Sequence, residues 1–173
     1  MKSRSTPADG NGLSDEHRVL LACLDEAFDH RAWHGATLRG SVRGLAAAEA
    51  AWRPARARHS IWEVVLHCAY WKYAVRRRLT AARRGSFALD GSNWFAQPAR
   101  PSDRAWRDAV RLLQAEHQQL RAAVRNVRPE ALARKPTGSP FTNAALIRGA
   151  AAHDLYHAGQ IQLLKRLQRS RTR

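Results

Sequence analysis

The stretch SDRAWRDAVRLLQAEHQQLRAAVRNV, residues 102–127, decides the fold class. Its apolar and ring-bearing side chains fall at Trp106, Val110, Leu113, His117, Leu120, Val124 and Val127, in alternating steps of four and three. That spacing lays one face on a helix, whereas a strand would need a period of two. Ser102-Asp103 provides the start, with a side-chain acceptor for the first-turn N–H groups and an acid at the positive end of the helix dipole. The pattern ends before Pro129.

Working outward from this helix, three further segments carry the same period. Downstream, a helix is expected from Thr142-Asn143, with Leu146, Gly149, His153, Tyr156, His157, Gln160, Leu164 and Leu167 facing inward and Lys165, Arg166 and Arg169 at its negative end. Upstream, Ser60-Ile61-Trp62-Glu63 reads as a capping box that starts a helix through Val64, Val65, Cys68, Trp71, Val75 and Leu79. The earliest segment runs from Ser14 to Leu45, with Leu20, Leu24, Ala27, Phe28, Leu38 and Val42 on one face. Between the second and third segments lie the residues from Gly85 to Pro101, including Asn93-Trp94-Phe95, a length that fits a crossover along a bundle or a lid over a site. No strand-like alternation and no internal repeat is present. The expectation is an all-α four-helix bundle, its helices about 40 Å long at about 1.5 Å per residue.

A chain of 173 residues suits one domain, and 45% hydrophobic with 25% charged residues excludes wholesale disorder. The expected layout is a disordered tail over residues 1–13 and a bundle over 14–169. No uncharged apolar run of about 18 residues exists and the first dozen residues lack an apolar stretch, which predicts a soluble, cytoplasmic protein with no membrane span. Cys23 and Cys68 stand far apart without C-x-x-C spacing and read as small buried apolar residues.

The net charge of +16 invites a nucleic-acid reading. Lys2, Lys72, Lys135 and Lys165 are the only lysines, so arginine supplies 26 of the 30 positive charges, dense only at Arg76–Arg78 with Arg83 and Arg84 and again over residues 166–173. A solvated helical surface in an arginine-biased protein accounts for this more simply.

Chemistry concentrates in the histidines. His153 and His157 stand four apart on one helical face, within reach of a common ion, and His67 lies beside the apolar stripe of the second segment. Three neutral imidazoles suit zinc, nickel, copper, iron or manganese and leave positions open for water or substrate. A rival pair, His30 and His34, has the same spacing in the first segment.

Other pocket groups have simpler roles beside functional ones. Glu63 caps its helix and is also a candidate base; His117 fits a core position or a proton carrier; Gln160 fits helix packing or a hydrogen bond to a ligand histidine. His34 and His59 fit a pocket mouth, Trp71 and Tyr156 a pocket wall, and Asp154, about 100° round the helix from His153, a surface or interface position.

The strings Ala32-Trp33-His34-Gly35, His59-Ser60-Ile61-Trp62-Glu63-Val64-Val65-Leu66-His67 and His153-Asp154-Leu155-Tyr156-His157-Ala158-Gly159-Gln160-Ile161 together resemble the DinB-like (YfiT-like) metalloenzyme superfamily. The resemblance covers about residues 14–169. It implies an up-down-down-up four-helix bundle with a long crossover between helices 2 and 3, often a homodimer, and one divalent metal, commonly nickel or zinc, on His67, His153 and His157. Members of known activity use low-molecular-weight thiols, as S-transferases or a maleylpyruvate isomerase. The function implied is a metal-dependent enzyme acting on a small-molecule substrate, of hydrolase or thiol-transferase type. A non-catalytic metal-binding protein is the alternative, and a nucleic-acid-binding module a more distant one.

Overall fold

The computed structural model describes residues 13–170, so the tail expected over residues 1–13 lies, Leu13 apart, outside the described residues. Six α-helices form: α1 (Asp15–Phe28), α2 (Leu38–Val42), α3 (Ala47–Ala51), α4 (Ile61–Leu79), α5 (Asp103–Asn126) and α6 (Asn143–Ser170). No strand is present among the described residues.

Sequence chemistry explains the helix starts. The Ser60 side chain accepts from Glu63 N while the Glu63 carboxylate accepts from Ser60 N, closing the expected capping box at α4. Ser102 caps α5 by accepting from Ala105 N.

Cross-helix pairs fix the directions. His17 Nε2 lies 2.7 Å from Val127 O, Arg121 binds Asp25 at 2.8 Å and the Phe28 ring stacks on His117, so α1 runs antiparallel to α5. Trp62 packs on Trp106 and Arg76 binds Glu116, which makes α4 parallel to α5. Lys72 meets Asp154 while His67, earlier in α4, meets His157, later in α6, which makes that pair antiparallel. The result is the up-down-down-up bundle of α1, α4, α5 and α6.

Parallel neighbours need a long return, and residues 80–102 supply it. Buried Phe95 anchors the crossover against Tyr70 and Phe87, and Ser86 hydrogen-bonds the Tyr73 hydroxyl.

Two hydrophobic clusters fill the bundle. One gathers Phe28, Leu38, Trp62, Val65, Leu113 and Ile161; the other gathers Leu20, Leu24, Val75, Leu120, Val124 and Ile147. Between them sits a buried polar layer of Asp25, Lys72, Glu116, His117 and Asp154.

The first segment differs from its expected form. The helix stops at Phe28, and α2 restarts only after Thr37, whose side chain accepts from Gly40 N. Gly35, at φ +99°, lies in the intervening turn. Leu38 and Val42 belong to a separate short helix, and apolar positions on two helices can mimic one continuous period. Cys23 is also corrected: it is exposed on α1, while Cys68 is buried as expected.

The inward face of α6 is rotated from the one expected. Ile147, Ala150, Ala151, Asp154, His157, Ala158 and Ile161 are buried, whereas Gly149, Tyr156 and Leu167 are exposed. Two apolar stripes run along this helix, and periodicity alone does not choose between them. The inner stripe sets three alanines and an aspartate between Ile147 and Ile161, so the larger Tyr156 and Leu167 marked the wrong side. Asp154, read as surface or interface, is 1% exposed and paired with Lys72.

Candidate metal centre

α4 and α6 bring His67, His153 and His157 together. His153 Nε2 lies 3.1 Å from His67 Nε2 and 3.0 Å from His157 Nε2. All three rings sit at the bundle interior, with His67 and His157 buried and His153 half-buried.

Each outer imidazole is fixed by its other nitrogen. His67 Nδ1–H donates to the Asn93 carbonyl oxygen at 2.8 Å, and His157 Nδ1–H donates to Gln160 Oε1 at 2.7 Å. A carbonyl oxygen cannot donate, so these contacts leave both Nε2 lone pairs aimed at His153 Nε2. One N–H at His153 cannot satisfy two such acceptors linearly. A cation can, and the three ring nitrogens lie close enough together to share one ion. The donor set therefore fits a divalent metal.

Charge state agrees with this fit. Burial pushes His153 down to about 3, helped by His157, His67 and Lys72, and pushes His157 down to about 4 against the Gln160 hydrogen bond. Burial also lowers His67, over the opposing Asn93 carbonyl. Neutral imidazoles are the form that binds metals.

The crossover acts as the lid its length allowed. Asn93, at φ +64°, gives its backbone carbonyl to His67, while its side-chain oxygen accepts from Trp71 Nε1 at 3.0 Å. Asparagine tolerates this left-handed conformation better than other non-glycine residues. The Trp94 ring then stacks on His67 at 3.9 Å and on His59 at 3.6 Å. One face of the cluster is thus covered by an indole.

The other side is open. A groove of about 410 Å³ reaches His153 between Trp71, Val75, Phe141 and Leu146. Trp71 lines this groove, its ring centroid 6.3 Å from that of His67 and 6.2 Å from that of His153.

The remaining predicted residues fall around the cluster or away from it. Gln160 orients His157. His59 lies under Trp94 at the exposed rim. Glu63 is one turn from His67 but is held by the cap, Arg53 and His59. His117 belongs to the polar layer, 3.4 Å from Lys72 Nζ. Tyr156 touches His157 edge-on from outside and is 64% exposed, so it does not wall the interior. The rival pair fails because residues 29–37 are not helical: His30 binds Asp29 and His34 is exposed.

Sequence reading missed the Lys72–Asp154 pair. A signal existed in Lys72 itself, set between Trp71 and Tyr73 within an otherwise apolar run of an arginine-rich chain.

Against known protein families, the model described as the DinB superfamily matches residues 29–161. The chain belongs to the DinB superfamily. No curated protein and no solved structure matches it. The three histidines that the resemblance implies as ligands are the three that converge in the bundle. The matched region contains all three histidines of the buried cluster. No helix among the described residues is long and apolar enough to cross a membrane.

Proposed function

We propose that this DinB superfamily member is a metal-dependent enzyme in which His67, His153 and His157 hold one divalent ion, nickel or zinc before iron, manganese or copper, to activate a water or a low-molecular-weight thiol. The observation that carries the reading is the convergence of three Nε2 atoms whose outer rings already spend Nδ1 on carbonyl oxygens. An ion on three neutral imidazoles supplies Lewis acidity, which makes a nucleophile of water or a thiol near neutral pH.

The chain's own residues prepare the rest. Asn93 and Gln160 hold the two tautomers, Trp94 excludes water from one face, and the groove past Trp71 admits a substrate at the other. Asp154 is committed to Lys72 and Glu63 to Arg53, so proton transfer falls to the substrate's own groups or to solvent in the groove. Loading the purified protein with nickel or zinc and screening thiol transfer and hydrolysis tests the reading. Metal-dependent turnover that disappears in His153→Ala supports it. A metal-dependent rise in Tm without turnover supports the non-catalytic alternative instead.

The reading includes a homodimer. Ala152, Tyr156, Gly159, Leu163 and Leu167 are exposed along one outward face of α6 in steps of three and four. Small residues between larger apolar ones allow close helix approach. Sedimentation of the wild type as a dimer and of Leu163→Arg as a monomer supports this pairing; a monomeric wild type contradicts it.

A further inference from the structure

The groove beside His153 has a second end. α4 places Trp71 next to His153 and Arg78 seven residues further on, about 10 Å along the axis at about 1.5 Å per residue. Trp71, Val75, Phe141 and Leu146 make the walls apolar between those two points. Phe141 is 60% exposed, a large ring held over the opening with nothing covering it.

Arg78 is a cation in want of an anion. Its guanidinium donates to Ala74 O, a carbonyl of its own helix, and no carboxylate among the described residues lies within ion-pairing distance of it. Burial, together with the charges of Arg77 and Arg84, lowers its pKa, so the field around it favours a negative partner. The adjoining cleft of about 600 Å³ is lined by Arg77, Arg78, Arg84 and Lys135 with no acid. Asp90 lines a cleft on the other side of Arg78 and makes no ion pair there.

We propose that this groove binds a small amphipathic anion, with an unbranched or aromatic apolar body about 10 Å long against Trp71 and Phe141 and a terminal carboxylate on Arg78. Binding needs only the groove. That the opposite end of this ligand is the reacting end rests on the reading of the histidines as the reactive centre.

Gly149 gives a clean test. It lines the groove on α6, and a Cβ built there meets nothing within 4 Å. Gly149→Leu therefore starts from a Cβ with open space around it, projects bulk into the groove and replaces glycine by a better helix former. Octanoate and neutral octanol are titrated into metal-free full-length protein by calorimetry, with wild type, Gly149→Leu and Arg78→Gln side by side.

The wild type should bind both ligands, octanoate the more tightly. Arg78→Gln should weaken octanoate by about tenfold or more and leave octanol unchanged, as the loss of one charge-assisted contact predicts. Gly149→Leu should abolish both while keeping the wild-type circular dichroism and a Tm no lower than that of the wild type. Octanoate that binds equally to wild type and Gly149→Leu, or that ignores Arg78→Gln, overturns the proposal. An oligonucleotide that displaces octanoate from the wild type and itself binds wild type and Gly149→Leu with equal affinity would likewise overturn it, assigning Arg78 to a polyanion surface. The metal reading fails separately, through metal content, which these titrations do not measure.

Discussion

Lys72 and Asp154 form a buried ion pair between α4 and α6, each 2% exposed or less, one residue from His153. Asp154 Oδ1 has no hydrogen-bond partner, and burial raises the Asp154 pKa against the opposing Lys72 charge. Removing one partner strands the other charge between the two hydrophobic clusters. Lys72→Met or Asp154→Leu alone should cost about 3–5 kcal/mol of stability, while the double variant should recover most of it. Urea denaturation of the four proteins checks this. Additive losses in the double variant would contradict it.

The same layer gives the fold a signed pH dependence. His117 is held at about 3, chiefly by burial and further by Lys72, Arg121 and His30; Asp25 Oδ1, at 3.8 Å, and Asp154, on the far side of Lys72, are the acids nearby. Unfolded, its imidazole takes a proton near 6.5. The unfolded state therefore binds more protons as pH falls, so this contribution is complete above pH 6.5 and is lost progressively towards pH 3, by up to about 1.4 kcal/mol per pH unit. His117→Phe keeps a ring against Phe28 and removes the titration. Metal-free wild type should lose about 2 kcal/mol more than this variant between pH 7.5 and pH 5, read from urea midpoints. Equal losses would exclude the assignment.

Gln160 has a role that stability measurements would not reveal. Its side chain is partly exposed, yet its oxygen fixes the His157 tautomer at 2.7 Å. Gln160→Leu should leave Tm nearly unchanged and weaken metal affinity by about 10- to 100-fold, measured by competition with a chromogenic chelator. Unaltered affinity would mean that His157 is oriented by helix packing alone.

Trp94 should report the lid. It stacks on His67 and His59 and is 37% exposed, so its emission should change when metal is added to the apoprotein. Trp94→Phe should remove most of that change. A signal of undiminished size would place its origin elsewhere, with Trp71 the next indole to test.

Legibility in the sequence followed the strength of local chemistry. Ser60 with Glu63 and Ser102 with its heptad seam determine α4 and α5 through contacts a few residues apart, and both helices begin where expected. The triad was readable because His153 and His157 sit one turn apart and the run ending at His67 completes the resemblance. Tertiary choices were not readable. The inner face of α6 is set by its packing against α1 and α4, and Asp154 faces inward where Lys72 meets it from α4, 82 positions away in sequence. The break after Phe28 was hidden because Leu38 and Val42 resume the same period on a separate helix.

Elemental analysis of untagged protein, purified without chelator, decides whether the three histidines hold a metal. Wild type should carry about one divalent ion per chain and His153→Ala none. A wild type that stays metal-free after incubation with nickel, zinc and manganese, or a His153→Ala variant with full metal content, would contradict the assignment.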